Sequence, residues 1–245
     1  KTTLTVSPNP SLDLRPAVDR LMRYPHGCLE QTSSRLAPLL FAADIFDGAK
    51  ADYLRRMVDA GVRRLASMQT ASGGLAYWPG AKQPYLWGTC YASLLLTEVM
   101  KTGHSVSDLN KEALAIYLLR SLQEDDPGFN QQAFLCRVLA ALGKPQVTRQ
   151  SFLLDHLDKL DLAGRAHLSS AWLASGRRDK AVSSLDGIDL KEVTRTTGGR
   201  LTSTVAQDGI LLSVLLSLNP DHSLVQQLVD RLEQTRRAGL WRSTL

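Results

Sequence analysis

Residues 132–143 read QAFLCRVLAALG, an apolar run with Ala and Leu on nearly all sides that closes at Gly143. Such density of strong helix formers specifies a helix buried on most of its surface rather than an amphipathic one. The closing glycine is a natural C-cap, because it tolerates positive φ. The same unit occurs at 91–103, YASLLLTEVMKTG, and at 167–176, HLSSAWLASG. The units recur at about forty residues, within the range of helical repeat proteins. The stretch from Asn110 to Gln123 between them is amphipathic and suits an outer position. The pattern therefore predicts an all-α chain of paired helices with one layer inside another. An open solenoid and a closed ring of helical hairpins stack the same units, and periodicity does not separate them.

Working upstream, Leu36, Leu39, Leu40, Ala43 and Phe46 recur at helical spacing, and Tyr53, Met57, Ala60, Val62 and Leu65 form a second stripe with charged residues between. The opening segment through Pro16 holds Pro8 and Pro10 as well and reads as an extended linker or edge segment. Short irregular strands are expected only near the N-terminus and around Leu190 to Ser203.

The chain has 245 residues, 44% hydrophobic and 22% charged, enough to bury a large core. Its net charge of +5 arises from pairs such as Arg55-Arg56, Arg63-Arg64, Arg177-Arg178 and Arg236-Arg237, which read as solvated helix edges. Basic residues do not interleave with the 6% of aromatics, so nucleic acid is not an expected partner. The three cysteines, Cys28, Cys90 and Cys136, have no metal-ligand spacing, and no metal is expected. Residues Lys1 to Thr5 lack the apolar core of a signal peptide, and without an initiating Met the chain is expected to be a piece of something longer.

Cys90 and Cys136 lie in the apolar helices and read as core. Cys28 differs in its surroundings. Tyr24-Pro25-His26-Gly27 is a stiff, turn-prone lead-in, and a helix is expected to begin near Thr32 and Ser33. Gln31 follows three residues after Cys28, a spacing at which side chains face one another in a first helical turn. Attack of the thiolate on the Gln carbonyl with loss of ammonia closes a ring of about fifteen atoms at this i,i+3 spacing. The product holds the acyl group on sulfur, where weak delocalisation leaves the carbon open to amines and hydroxyls. A helix N-terminus beside it favours the thiolate leaving group. His26 is placed to influence the thiol, and Glu30 to help position the turn.

The nine residues Tyr24 to Thr32, YPHGCLEQT, resemble the thioester motif of bacterial α2-macroglobulins, relatives of the complement thioester proteins. Vertebrate members usually carry Gly where this chain has Leu29, and Leu is expected in the bacterial group. Gln69 to Trp78, QTASGGLAYW, is similar to the turn between helices in α/α-toroids, and Trp87 to Gly103 is similar to the helix that follows it. Leu240 to Thr244 is similar to a segment after which family members continue into another helix. The resemblance thus implies an α/α-toroid of paired helical hairpins, truncated at the C-terminal side, with residues 1–16 a linker or edge segment and 17–245 the thioester domain.

The resemblance further implies a broad-spectrum protease inhibitor that acts once rather than as an enzyme. Cys28 and Gln31 would carry the thioester, an internal modification that takes the place of any cofactor, with Tyr24, His26, Gly27 and Glu30 in support. After bait-region cleavage elsewhere in the parent protein, amines of the attacking protease would be acylated by Gln31. Expected partners are target proteases, bound covalently, the other domains of the parent macroglobulin and a peptidoglycan synthase. The expected location is the periplasm, with a lipid anchor to the inner membrane. Some thioester proteins use a His to favour hydroxyl acceptors; His104, His156, His167 and His222 read instead as packed or surface residues, so amines are the expected acceptors. Tyr77, Trp78, Tyr85 and Trp87 form the densest aromatic cluster and either shield the bond or plug one end of the helical array. Two other readings stay open: a toroid enzyme such as a prenyltransferase β subunit or glycoside hydrolase, and a non-catalytic helical repeat module.

Overall fold

The structure, a computed structural model, describes residues 18–19, 22, 27–42, 46, 48–124, 127–188, 190 and 203–235. These form helices α1 (Leu29–Ala42), α2 (Gly48–Ala66), α3 (Leu86–Lys101), α4 (Lys111–Gln123), α5 (Phe129–Ala141), α6 (Val147–Leu154), α7 (Leu162–Ala174), α8 (Arg178–Ser183), α9 (Thr204–Leu218) and α10 (Ser223–Gln234). Odd-numbered helices pack on one another in sequence, α1 on α3, α3 on α5, α5 on α7 and α7 on α9. Even-numbered helices lie against this inner row, with α2 on α1, α4 on α5, α6 between α5 and α7, α8 on α7 and α10 on α9. Two layers of paired helices result, and none of the helices among the described residues is long and apolar enough to cross a membrane.

Burial follows the layers. Inner α5 buries Gln132 to Cys136 and Val138 to Ala140, whereas outer α4 buries only the stripe Leu114, Ala115, Leu118, Ser121 and Leu122. The three glycine-closed units are α3, α5 and α7, and Gly103, Gly143 and Gly176 follow them with φ of 82°, 76° and 73°. Helix starts are fixed by side chains: Asn110 accepts from Ala113 N at 2.9 Å, Asp161 from Gly164 N at 2.7 Å and Ser203 from Ala206 N at 3.1 Å.

Three expectations change in the first hairpin. The buried stripe of α2 is Ala51, Leu54, Val58, Val62 and Leu65, while Tyr53 is 46% exposed. Weighting the large side chains turned the expected face; the smaller Ala51, Leu54 and Val58 keep i,i+3/i+4 spacing and face α1. α1 begins at Leu29 rather than near Thr32, because Cys28 itself caps it. Phe46 lies outside the helix, half-buried on the core beneath the Lys50 ammonium. No strand occurs among the described residues, only isolated bridges Gln69↔Leu75 and Ala76↔Pro84. The expected linker at 1–16, the strand at the N-terminus and most of that at 190–203, Ala43, and the segment 240–244 fall outside the described residues.

The loop between α2 and α3 is held by Gln69. Its Nε2 donates to Gly73 O (3.0 Å) and Asn110 O (2.9 Å), and its Oε1 accepts from Asn110 N at 2.8 Å. Gly73 permits this close approach: a Cβ there would lie 2.1 Å from Ala113 O. Thr89 completes the frame, accepting from Leu75 N at 2.9 Å and donating to Tyr85 O at 2.9 Å. The loop is thereby set across the start of α1.

Candidate functional site

Cys28 sits in the bend before α1, 1% exposed, and its carbonyl accepts the first helical bond from Thr32 N at 2.9 Å. Its Sγ accepts from Gln31 N at 3.4 Å. Cys28 is therefore the N-cap and Gln31 the N3 residue, and the cap side chain takes the N3 N–H as a capping residue does. With sulfur in place of a hydroxyl, this local geometry brings a nucleophile and an amide carbonyl to the same helix end. Gln31 Oε1 is buried and has no hydrogen-bond partner among the described residues. A buried carbonyl without a donor is costly and uncommon.

The neighbouring residues lock this turn. Arg64 Nε donates to Gly27 O at 2.8 Å, and a Cβ at Gly27 would meet the Arg64 guanidinium at 2.5 Å. Leu29 is fully buried and its N–H donates to Tyr77 O at 3.0 Å. Glu30, only 6% exposed, accepts from Ser34 Oγ at 2.8 Å, and Ser34 Oγ meets the Tyr91 hydroxyl at 3.2 Å. Glu30 thus anchors the first turn inside the protein.

The aromatic cluster runs beside the site as a relay of rings. Tyr77 makes edge contacts with Trp78 (5.8 Å) and Tyr85 (5.7 Å), Tyr85 meets Trp87 at 6.3 Å, and Trp87 stacks on Tyr91 at 5.1 Å. Interaction with Cys28, more than burial, pushes the Tyr77 hydroxyl up to about 12. Burial and then the Glu30 charge raise the Tyr85 hydroxyl, while burial dominates at Tyr91.

Of the expected site residues, the structure brings together Gly27, Cys28, Glu30 and Gln31; Tyr24 and His26 lie outside the described residues. Sequence reasoning missed Arg64, taken as a solvated edge, and Ser34, whose i+4 spacing from Glu30 was the available signal. The other histidines have partners of their own: His104 Nδ1 pairs with Asp59 at 2.7 Å, His156 with Phe152 O at 2.8 Å, His167 with Arg137 at 3.1 Å, and His222 caps α10. Burial raises the Cys90 thiol strongly and pushes Cys136 up to about 12, as core thiols should be.

No family model matches the chain. It is 29% identical over 227 residues to the alpha-2-macroglobulin of Escherichia coli K12, covering 90% of this chain and 13% of that protein. The native E. coli alpha-2-macroglobulin crystal structure from domain MG7 to the C-terminus superposes with a TM-score of 0.80 at 26% identity, over 95% of this chain and 40% of that one. The chain is a homologue of the bacterial alpha-2-macroglobulins. Its fold is accordingly the all-α toroid of that family's C-terminal region. Trypsin-activated E. coli alpha-2-macroglobulin also matches, with a TM-score of 0.72 and 26% identity over 90% of this chain and 16% of that one. The chain therefore spans a small fraction of its macroglobulin relatives' length.

Proposed function

We propose that Cys28 and Gln31 form an internal thioester and that this chain is the thioester domain of a bacterial macroglobulin that traps proteases covalently. The observation that carries this reading is the N-cap of α1, with a buried sulfur 3.4 Å from Gln31 N and a buried Gln31 Oε1 that has no partner among the described residues. The E. coli homologue that is activated by trypsin supports proteases as partners. In this reading the trap acts once: a lysine amine of the protease attacks the Gln31 carbonyl carbon, an amide forms, the carbon–sulfur bond breaks with its electron pair on Cys28, and the amine's proton passes to solvent. Timing belongs to other domains of the parent protein, including a bait region. The proposed setting is the periplasm, with the parent lipid-anchored to the inner membrane and a peptidoglycan synthase as a neighbour.

Intact mass measurement on protein prepared without amines tests the bond. The expected mass is one ammonia below that of the sequence, with one fewer titratable thiol, and methylamine should restore the thiol while adding to Gln31. Cys28→Ala should abolish the deficit and Cys90→Ala should keep it. A thioester lost to hydrolysis would leave Gln31 alone deamidated. An unmodified Gln31 with three free thiols would sink the proposal.

A further inference from the structure

Cys28 lies between two rigid peptide planes, and both are held by hydrogen bonds. The plane after it carries Cys28 O, which accepts from Thr32 N at 2.9 Å, and Leu29 N, which donates to Tyr77 O at 3.0 Å. The plane before it carries Gly27 O, which accepts from Arg64 Nε at 2.8 Å. Arg64 reaches there from the last turn of α2, where its own backbone is anchored: Leu65 beside it is fully buried, and Ser67 Oγ donates to Arg64 O at 2.7 Å. The guanidinium fills the space that a Gly27 side chain would take, with Nε 2.5 Å and Cζ 2.8 Å from where a Cβ would stand. Resting on the thioester reading above, we propose that Arg64 is a positioning residue for ring closure, which fixes the peptide plane before Cys28 and so aims the sulfur at the Gln31 side-chain carbonyl carbon.

With both planes held, φ and ψ of Cys28 are set, and with them the direction of the Cα–Cβ bond that carries Sγ. The plane after Cys28 is fixed twice, by α1 and by the Tyr77 carbonyl; the plane before it is fixed, among the described residues, by Arg64. In closure the Cys28 thiolate attacks the Gln31 carbonyl carbon, the carbon–nitrogen bond breaks, and ammonia leaves with the proton that the thiol gave up. The rate of that step depends on how much of the time the sulfur stands in attack geometry. Arg64 and its bond lie at the surface, where losing one hydrogen bond leaves the fold nearly as stable. The effect of this contact therefore falls on the geometry of the turn.

Ammonia supplies the test, because it reopens the thioester to Cys28 and Gln31. Once ammonia is removed, closure is followed by intact mass as the loss of one ammonia, and by the disappearance of one titratable thiol. Arg64→Ala should close about tenfold more slowly, the scale of a reacting group released from its attack geometry, with a thermal midpoint near that of the unmutated chain. Arg63→Ala removes the same charge one residue away and should close at the unmutated rate. Arg64→Lys keeps a donor within reach of Gly27 O but lacks the planar fork, and its rate should fall between the two. Equal closure in Arg64→Ala and the unmutated chain overturns this inference and leaves the thioester reading standing. Equal slowing in Arg63→Ala marks a charge effect and overturns it too. Failure of Arg64→Lys to close faster than Arg64→Ala marks a structural role, with the same consequence. An unmodified Gln31 in the freshly prepared, unmutated chain overturns the thioester reading, and this inference with it.

Discussion

The N–H of Leu29 donates to the carbonyl of Tyr77 at 3.0 Å, so the backbone of the first turn of α1 is joined directly to the aromatic loop after α2. Leu29 also sets the distance to α3, because its side chain fills the space above Gly88. That contact joins the reactive turn to the inner row of helices.

Gly88→Ala tests the coupling. A Cβ there would lie 2.7 Å from both Leu29 Cδ2 and Tyr85 Cδ1, so two packed side chains must shift. Overpacking of this kind costs about 1–3 kcal/mol. Thermal unfolding should occur several degrees lower, and intact mass should show a smaller fraction of the ammonia-deficient form. A variant of lower stability with an undiminished fraction would show that Leu29 packing does not govern the ring.

Gln69→Ala removes three hydrogen bonds at once, two donated to Gly73 and Asn110 carbonyls and one accepted from Asn110 N. At about 1 kcal/mol for each net bond, the expected loss is about 2–3 kcal/mol. Urea denaturation reads it directly. Because Gln69 fixes the loop that carries Tyr77, methylamine should also reach the thioester faster in this variant. A loss under about 0.5 kcal/mol would mean that water replaces all three bonds.

The sequence made the inner helices legible because their signals agree: apolar on all sides and closed by a glycine at Gly103, Gly143 and Gly176. The outer α2 was half legible, since its buried stripe uses Ala51 and Leu54 while larger Tyr53 is exposed and Met57 packs only partly buried at the core's edge. At the site, the i,i+3 spacing of Cys28 and Gln31 showed which residues share the helix end, and the cap bond from Gln31 N to Cys28 Sγ explains why. Arg64 was hidden because a side chain that reaches Gly27 O across 37 positions leaves no local trace. The cluster of aromatics is visible in sequence by its density, but which rings meet is decided by loop geometry.

Arg231 in α10 holds Asp208 in α9 with Nε 2.9 Å from Oδ2 and also donates to Leu190 O at 3.2 Å. Asp208 is only 3% exposed, so Arg231→Met leaves a buried carboxylate without its cation. The expected loss is about 3–5 kcal/mol, and the further change Asp208→Asn should recover part of it. A double-mutant cycle by chemical denaturation measures the coupling. A single-mutant loss below about 1 kcal/mol would place the pair among solvated surface pairs.

His167 gives the fold a pH dependence. It is buried between α5 and α7, with the Phe134 ring stacked on it at 4.3 Å and Arg137 Nη1 at 3.1 Å from its Nδ1. Burial, and secondarily the Arg137 charge, hold it well below the ordinary histidine range; burial also lowers Arg137 to about 10, opposed by Glu98 on α3. In the unfolded chain the imidazole takes up a proton near pH 6.5, at a point where the folded protein does not. The contribution of His167 is therefore complete above about pH 6.5 and declines as pH falls, by up to about 1.4 kcal/mol per unit. Denaturation at pH 7.5 and pH 5.0 should show a clear loss in the parent protein. His167→Phe keeps the stack on Phe134 and removes the titrating group; its baseline stability will be lower because Arg137 loses an acceptor, but its loss between the two pH values should be smaller by about one proton's worth. Parallel losses in the two proteins would show that His167 takes up its proton as readily in the folded state as in the unfolded one.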